Sequence, residues 1–87
     1  MTKQKNIPLV QLTPGARGLV RKLGGGKEFA SRLSAMGLSV GSNVEVLQNR
    51  GYGPVLVLVR DTRIALGRGE ALKIVVEELE GERRETE

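Results

Sequence analysis

The chain contains no cysteine, no histidine and no tryptophan, and only one Phe and one Tyr among its 87 residues. Without Cys there is no disulfide framework, so stability has to come from aliphatic packing, at about 1.5–3 kcal/mol per fully buried Val, Leu or Ile. The missing Cys also fits a reducing compartment such as the cytoplasm. Without His or Cys the chain cannot form a Ser-His or Cys-His nucleophile pair, a zinc site with nitrogen or sulfur ligands, or a two-His-one-carboxylate iron site. Among the carboxylates of the body, Glu45, Asp61 and Glu70 stand far apart in sequence. They read as isolated side chains, and the Glu-rich end lacks the alternating-oxygen loop of a calcium site. No catalytic residue, metal site or cofactor is expected, and the chain reads as a non-enzyme.

Scarce aromatics weigh against two kinds of binding. Grooves for Pro-rich peptides are lined by several rings, and single-stranded nucleic acids stack their bases on such rings. Phe29 falls on the apolar side of a helical pattern and reads as core, which leaves Tyr52 for recognition. Long apolar runs are missing too. The longest is Val55–Val59, and the segment Ile7-Pro8-Leu9-Val10 is too short and Pro-broken for a signal peptide, so neither export nor membrane insertion is expected.

What is present is a folded-protein composition, with 39% hydrophobic and 28% charged residues, enough for one core at this length. The formal charge of +4 is unevenly distributed. Residues 77–87 hold six Glu and two Arg, while residues 1–76 hold 12 Lys or Arg against four acids, a body of +8 and an end of −4. A basic body suits nucleic acid, an anionic membrane face or an acidic protein partner.

Twelve Gly and three Pro cut the chain into short pieces, as expected for strands and turns. Strands are expected at Ala16 to Leu23, Asn43 to Gln48, Val55 to Val59, Ile64 to Leu66 and Lys73 to Leu79. The uniformly apolar Val55–Val59 reads as a strand covered on both faces. Arg60-Asp61-Thr62-Arg63 reads as a hairpin turn, with Ile64 and Leu66 facing one way and Arg63 and Ala65 the other. One helix is expected at Lys27 to Met36, where Phe29, Ala30, Leu33 and Met36 recur at helical spacing. Gly37 and Leu38 are placed to close it as C′ and C″ of a Schellman motif, Leu38 touching Leu33. Gly37→Ala should then lower stability by about 1–2 kcal/mol through the left-handed conformation alone, checked by urea unfolding of the two proteins. A short helical turn is expected within Gly67 to Leu72. Five strands and one helix fit a small, partly open β-barrel.

Gly24-Gly25-Gly26-Lys27 is not a phosphate loop. The position that a Walker A motif needs as Gly is Arg21, and Glu28 stands where it needs Ser or Thr. The segment reads as a strand-to-helix connection, with Glu28 favourably placed near the positive end of the helix dipole.

Leu12-Thr13-Pro14-Gly15 with Gly18, then Arg32-Leu33-Ser34-Ala35-Met36-Gly37-Leu38-Ser39-Val40-Gly41 followed by Val44-Glu45-Val46, resembles the ferrous iron transport protein A (FeoA) family. The likeness continues through Val57 to Arg60, Arg63-Ile64-Ala65-Leu66, and Glu70-Ala71 leading to Ile74-Val75-Val76. It implies a mainly β fold, an SH3-like barrel over residues 7–79 with a helix inserted after the first strand, between an N-terminal tail at 1–6 and an acidic tail at 80–87. It further implies a cytoplasmic accessory role in ferrous iron uptake, with the large membrane ferrous iron transporter (FeoB) and its cytosolic GTP-binding domain as partner. The family's association with transition metal ions finds no ligand set in this sequence.

The residues expected to meet the partner are Arg32, Met36, Gly37 and Leu38 at the helix end, with Arg50, Tyr52 and Arg63. Leu33, Met36 and Leu38 read more readily as core and capping contacts, Leu33 most of all. Two alternatives come from other classes: a basic SH3-like module that binds nucleic acid, and a regulatory module related to the C-terminal domain of iron-dependent repressors, though no helix-turn-helix segment precedes it here. Whether the barrel self-associates weakly through an open edge strand is left open.

Overall fold

A computed structural model describes residues 6–79; the expected acidic tail, and all but Asn6 of the expected N-terminal one, lie outside them. The chain runs β1 (Asn6–Pro8), a 3-10 turn (Leu9–Gln11), β2 (Arg17–Leu23), α1 (Gly26–Ala35), β3 (Asn43–Gln48), β4 (Val55–Val59), β5 (Thr62–Leu66), α2 (Arg68–Leu72) and β6 (Ile74–Leu79). The strands form one antiparallel sheet in the order β1-β6-β2-β3-β4-β5. β1 and β5 are its edges and do not pair with each other, so the barrel is not closed.

Six strands replace the expected five. The additional one, β1, is three residues long and includes Asn6, read from the sequence as tail; it pairs Ile7 with Val76. So short a segment, ending in Pro8, carries no alternation of its own, and β6 supplies its pairing partner. α1 begins at Gly26, one residue earlier than its apolar spacing suggests, and Met36 caps it.

The helix end has the expected form. Gly37 sits at φ 94°, its N–H donates to Ser34 O, and the Leu38 N–H donates to Leu33 O, both at 2.9 Å. These are the two bonds of a Schellman motif. The next turn is held by the Ser42 N–H on Ser39 O at 2.9 Å and the Ser39 N–H on Ser42 Oγ at 3.0 Å.

The core is formed by the inner face of the sheet, including Val20, Val44, Val46, Ile64, Ile74 and Val76, closed by Phe29 and Leu33 of α1, Leu38 and Ala71. Among the described residues it contains no buried polar or charged residue. β4 departs from its expected double cover. Val55, Val57 and Val59 are buried, but Leu56 and Leu58 are half-buried, because the sheet curls on its own core and its outer face meets only neighbouring side chains. Leu56 lies opposite Gln48 and Ala65, and Leu58 opposite Glu45 and Arg63.

The β4–β5 turn is tighter than the four residues expected, with only Arg60 and Asp61 between the strands. Arg60 has φ 60°, in the region where a side chain costs about 1–2 kcal/mol. Arg60→Gly is therefore expected to raise stability by about 0.5–1 kcal/mol, the gain being reduced by glycine's greater unfolded-state freedom. A higher urea midpoint at unchanged slope would show it, and an unchanged midpoint would show that the turn is unstrained.

Candidate docking surface

α1 is held to α2 by a polar clasp on the protein's exterior. Arg32 Nη2 donates to Glu70 Oε2 at 3.0 Å, while Glu70 Oε1 accepts the Gly67 N–H at 2.9 Å. Glu70 thus caps its own helix and pairs with the other one. Beside it two cations stand over the Phe29 ring, Arg32 at 5.7 Å and Lys73 at 5.5 Å from its centroid. Gly25 supports the same contact, since a Cβ there would lie 2.9 Å from the Phe29 ring. Glu70, read from sequence as isolated, is a bridging residue whose partner Arg32 stands 38 positions away.

The Gly67 N–H and then the Arg32 guanidinium hold the Glu70 carboxyl below the usual glutamate range. Because the folded state favours the ionised form, this contribution to stability is complete above the unfolded pKa and is lost as pH falls through the folded one. Glu70→Gln should therefore unfold at lower urea than the parent near neutral pH, and the gap should close as pH drops below the carboxylate range. A gap that stayed constant with pH would remove the charge from the account.

A second polar network fixes the β3–β4 loop, residues 49–54. Asn49 Nδ2 donates to Val10 O at 2.9 Å and Leu12 O at 2.8 Å, and Asn49 Oδ1 accepts from the Gly51 N–H at 3.3 Å and from Arg68 Nη1 at 3.0 Å. Arg68 Nη1 also reaches Gly53 O at 3.3 Å. The loop is thereby stapled to the segment after β1 and to the start of α2.

The residues expected at a contact surface separate into three sets. Arg32, Met36 and Gly37 are exposed at the end of α1, Met36 at 41%, and Arg32 is engaged by Glu70. Arg50 and Tyr52 are exposed on the stapled loop, Tyr52 at 68%. α2 joins these two sets, holding Arg32 through Glu70 and the loop through Arg68. Arg63 is exposed but lies opposite Leu58, beside the β4–β5 turn, about 10 Å along β4 from the loop end at 3.3 Å per residue. Leu38 has no exposed surface. It is core, as Schellman packing against α1 requires, and cannot serve as a surface contact.

Asn49 and Arg68 were not visible as partners in the sequence. An Asn at a strand end before Gly-rich chain signals side-chain-to-backbone bonding, but its acceptors stand 39 and 37 positions upstream. Among the described residues there is no cluster of three or more His, Cys, Asp or Glu that could hold a metal, and no helix is long and apolar enough to cross a membrane.

The family model described as "FeoA domain" matches residues 7–78. The chain belongs to the FeoA domain family. It is 38% identical over 73 residues, 84% of this chain and 88% of the relative, to a Methanocaldococcus jannaschii protein called "Putative Fe(2+) transport protein A". A crystal structure of an iron uptake regulatory protein (FeoA) superposes with TM-score 0.81 at 33% identity, covering 86% of this chain and all of that one. With the family comes its SH3-like fold, in agreement with the six-stranded open sheet. A manganese-dependent transcriptional repressor matches with TM-score 0.76 over 91% of this chain and 45% of its own. At 23% identity that likeness is one of fold alone.

Proposed function

We propose that this FeoA-family protein is a non-catalytic, cytoplasmic accessory of ferrous iron uptake. It docks onto the cytosolic GTP-binding region of the membrane ferrous iron transporter and regulates or assembles it. The observation that carries this reading is the FeoA match across residues 7–78, nearly the whole described body, together with the iron-transport name of the archaeal relative. The chemistry agrees: a chain without His or Cys is poorly equipped to ligate iron or to run acid–base catalysis, whereas a basic body of +8 suits an acidic protein surface.

The contact surface in this reading is the face joined by α2, with Met36 and Gly37 at the α1 end and the 49–54 loop beside it. Titrating the purified cytosolic domain of the transporter into fluorescently labelled full-length protein tests the proposal, with and without guanine nucleotide. A saturable signal in either nucleotide state is expected, and its absence at high micromolar concentration in both would overturn the reading.

A further inference from the structure

We infer that the 49–54 loop is a pre-shaped anchor whose Tyr52 and Arg50 seat in an acidic protein surface that carries an apolar recess. The inference rests on the docking reading above and assigns it a contact element and a partner chemistry. Of the two aromatic side chains, Phe29 is buried and Tyr52 is 68% exposed. The chain thus presents its one free ring at the tip of its most heavily stapled loop. Five side-chain hydrogen bonds from Asn49 and Arg68, or onto Asn49, hold that loop at three points of the fold, although joining two adjacent antiparallel strands needs only a short turn.

Fixing a loop in one shape before contact removes the ordering cost of association. A Tyr adds large contact area with only two side-chain torsions to restrict. Residues 46–60 contain Arg50 and Arg60 and no acid, so the loop offers an apolar body, a phenol and a cation with no charge to repel an acidic partner. Both Tyr52 and Arg50 are exposed, and neither has a hydrogen-bond or ion-pair partner among the described residues.

A protein partner suits this arrangement better than nucleic acid or lipid. A single-stranded nucleic acid is held by a series of rings, and here one ring is available. A bilayer interface is bound through a broad apolar face, whereas Tyr52 stands between Gly51 and Gly53 with no second apolar side chain within the loop before Pro54.

The experiment is a titration of the transporter's purified cytosolic domain into labelled full-length protein, comparing the parent with Tyr52→Ala, Arg50→Ala and Arg60→Gly. Arg60→Gly removes the same charge at the far turn. The parent should bind saturably. Tyr52→Ala and Arg50→Ala should each weaken binding about tenfold or more with unchanged thermal midpoints, and Arg60→Gly should stay within about threefold.

If the parent binds and Tyr52→Ala binds equally well, the anchor is overturned while docking stands. If Arg60→Gly weakens binding as much as Arg50→Ala, the effect is general charge and the anchor is again overturned. If the parent does not bind, the docking reading fails and the inference with it. Tyr52-dependent binding to a single-stranded RNA oligomer or to anionic phospholipid vesicles, in place of the protein domain, would overturn the stated partner class.

Discussion

Gly18→Val is expected to destabilise the protein by about 3 kcal/mol, at the upper end of what overpacking a core costs. Gly18 is a buried position of β2, between β3, where it lies opposite Val44, and β6, where it lies opposite Glu78. A Cβ there would stand 2.9 Å from Val76 Cβ, 3.0 Å from Val76 Cγ2 and 3.3 Å from Leu12 Cδ1. Val76 and Leu12 are both buried, so neither can turn into solvent, and the β2–β6 seam must open to admit even a methyl group. Gly18→Ala should therefore cost about 1–2 kcal/mol and the two further methyls of Val the rest. In a domain this small, 3 kcal/mol corresponds to a fall of about 12–24 °C in thermal midpoint. A midpoint for Gly18→Val within a few degrees of the parent would show that β6 can shift aside freely.

Asn49→Ala is expected to cost about 2–3 kcal/mol, because one truncation strands the Val10 and Leu12 carbonyls and removes an acceptor of Arg68 at a part-buried site. Asn49→Asp should not rescue it. Asp keeps the oxygen that receives Gly51 and Arg68 but points a second oxygen at two carbonyls where the amide donated, so the loss should be comparable. Unfolding midpoints of the three proteins decide this, and recovery by Asp would place the weight on Arg68. If the loop is a pre-shaped anchor, Asn49→Ala should also weaken docking at temperatures where it remains folded, since the loop then has to be ordered on contact.

The elements legible in the sequence are those whose signal is local. Asn43–Gln48 alternates around Glu45, Ile64 and Leu66 alternate with Arg63 and Ala65, and the Gly37-Leu38 pair marks a helix end; each appears in the structure where its pattern puts it. What escaped is what depends on distant chain. β1 needs β6 as its partner. The apolar run Val55–Val59 looks like a doubly covered strand because periodicity cannot show that the outer face is open. The contact residues divide in the same way: exposure at Arg50 and Tyr52 followed from their position in a Gly-rich loop, whereas the exposure of Met36, which shares the helical spacing of Phe29 and Leu33 but caps the helix beyond the core, the burial of Leu38, the engagement of Arg32 by Glu70 and the separation of Arg63 are set by packing between elements. Gly18 was recognisable only as part of a family pattern, and its reason is the approach of Val76.

The placement of β6 between β1 and β2 has a consequence for biosynthesis. Ile7 leaves the ribosome well before its partner Val76, which follows about seventy positions later, a separation typical of slow, non-local pairing. Until then only β2 through β5 have their sheet neighbours, as a four-stranded fragment whose β2 edge is open along its length. During synthesis that edge is the surface at risk of pairing with another nascent chain, and the arrival of β6 covers it.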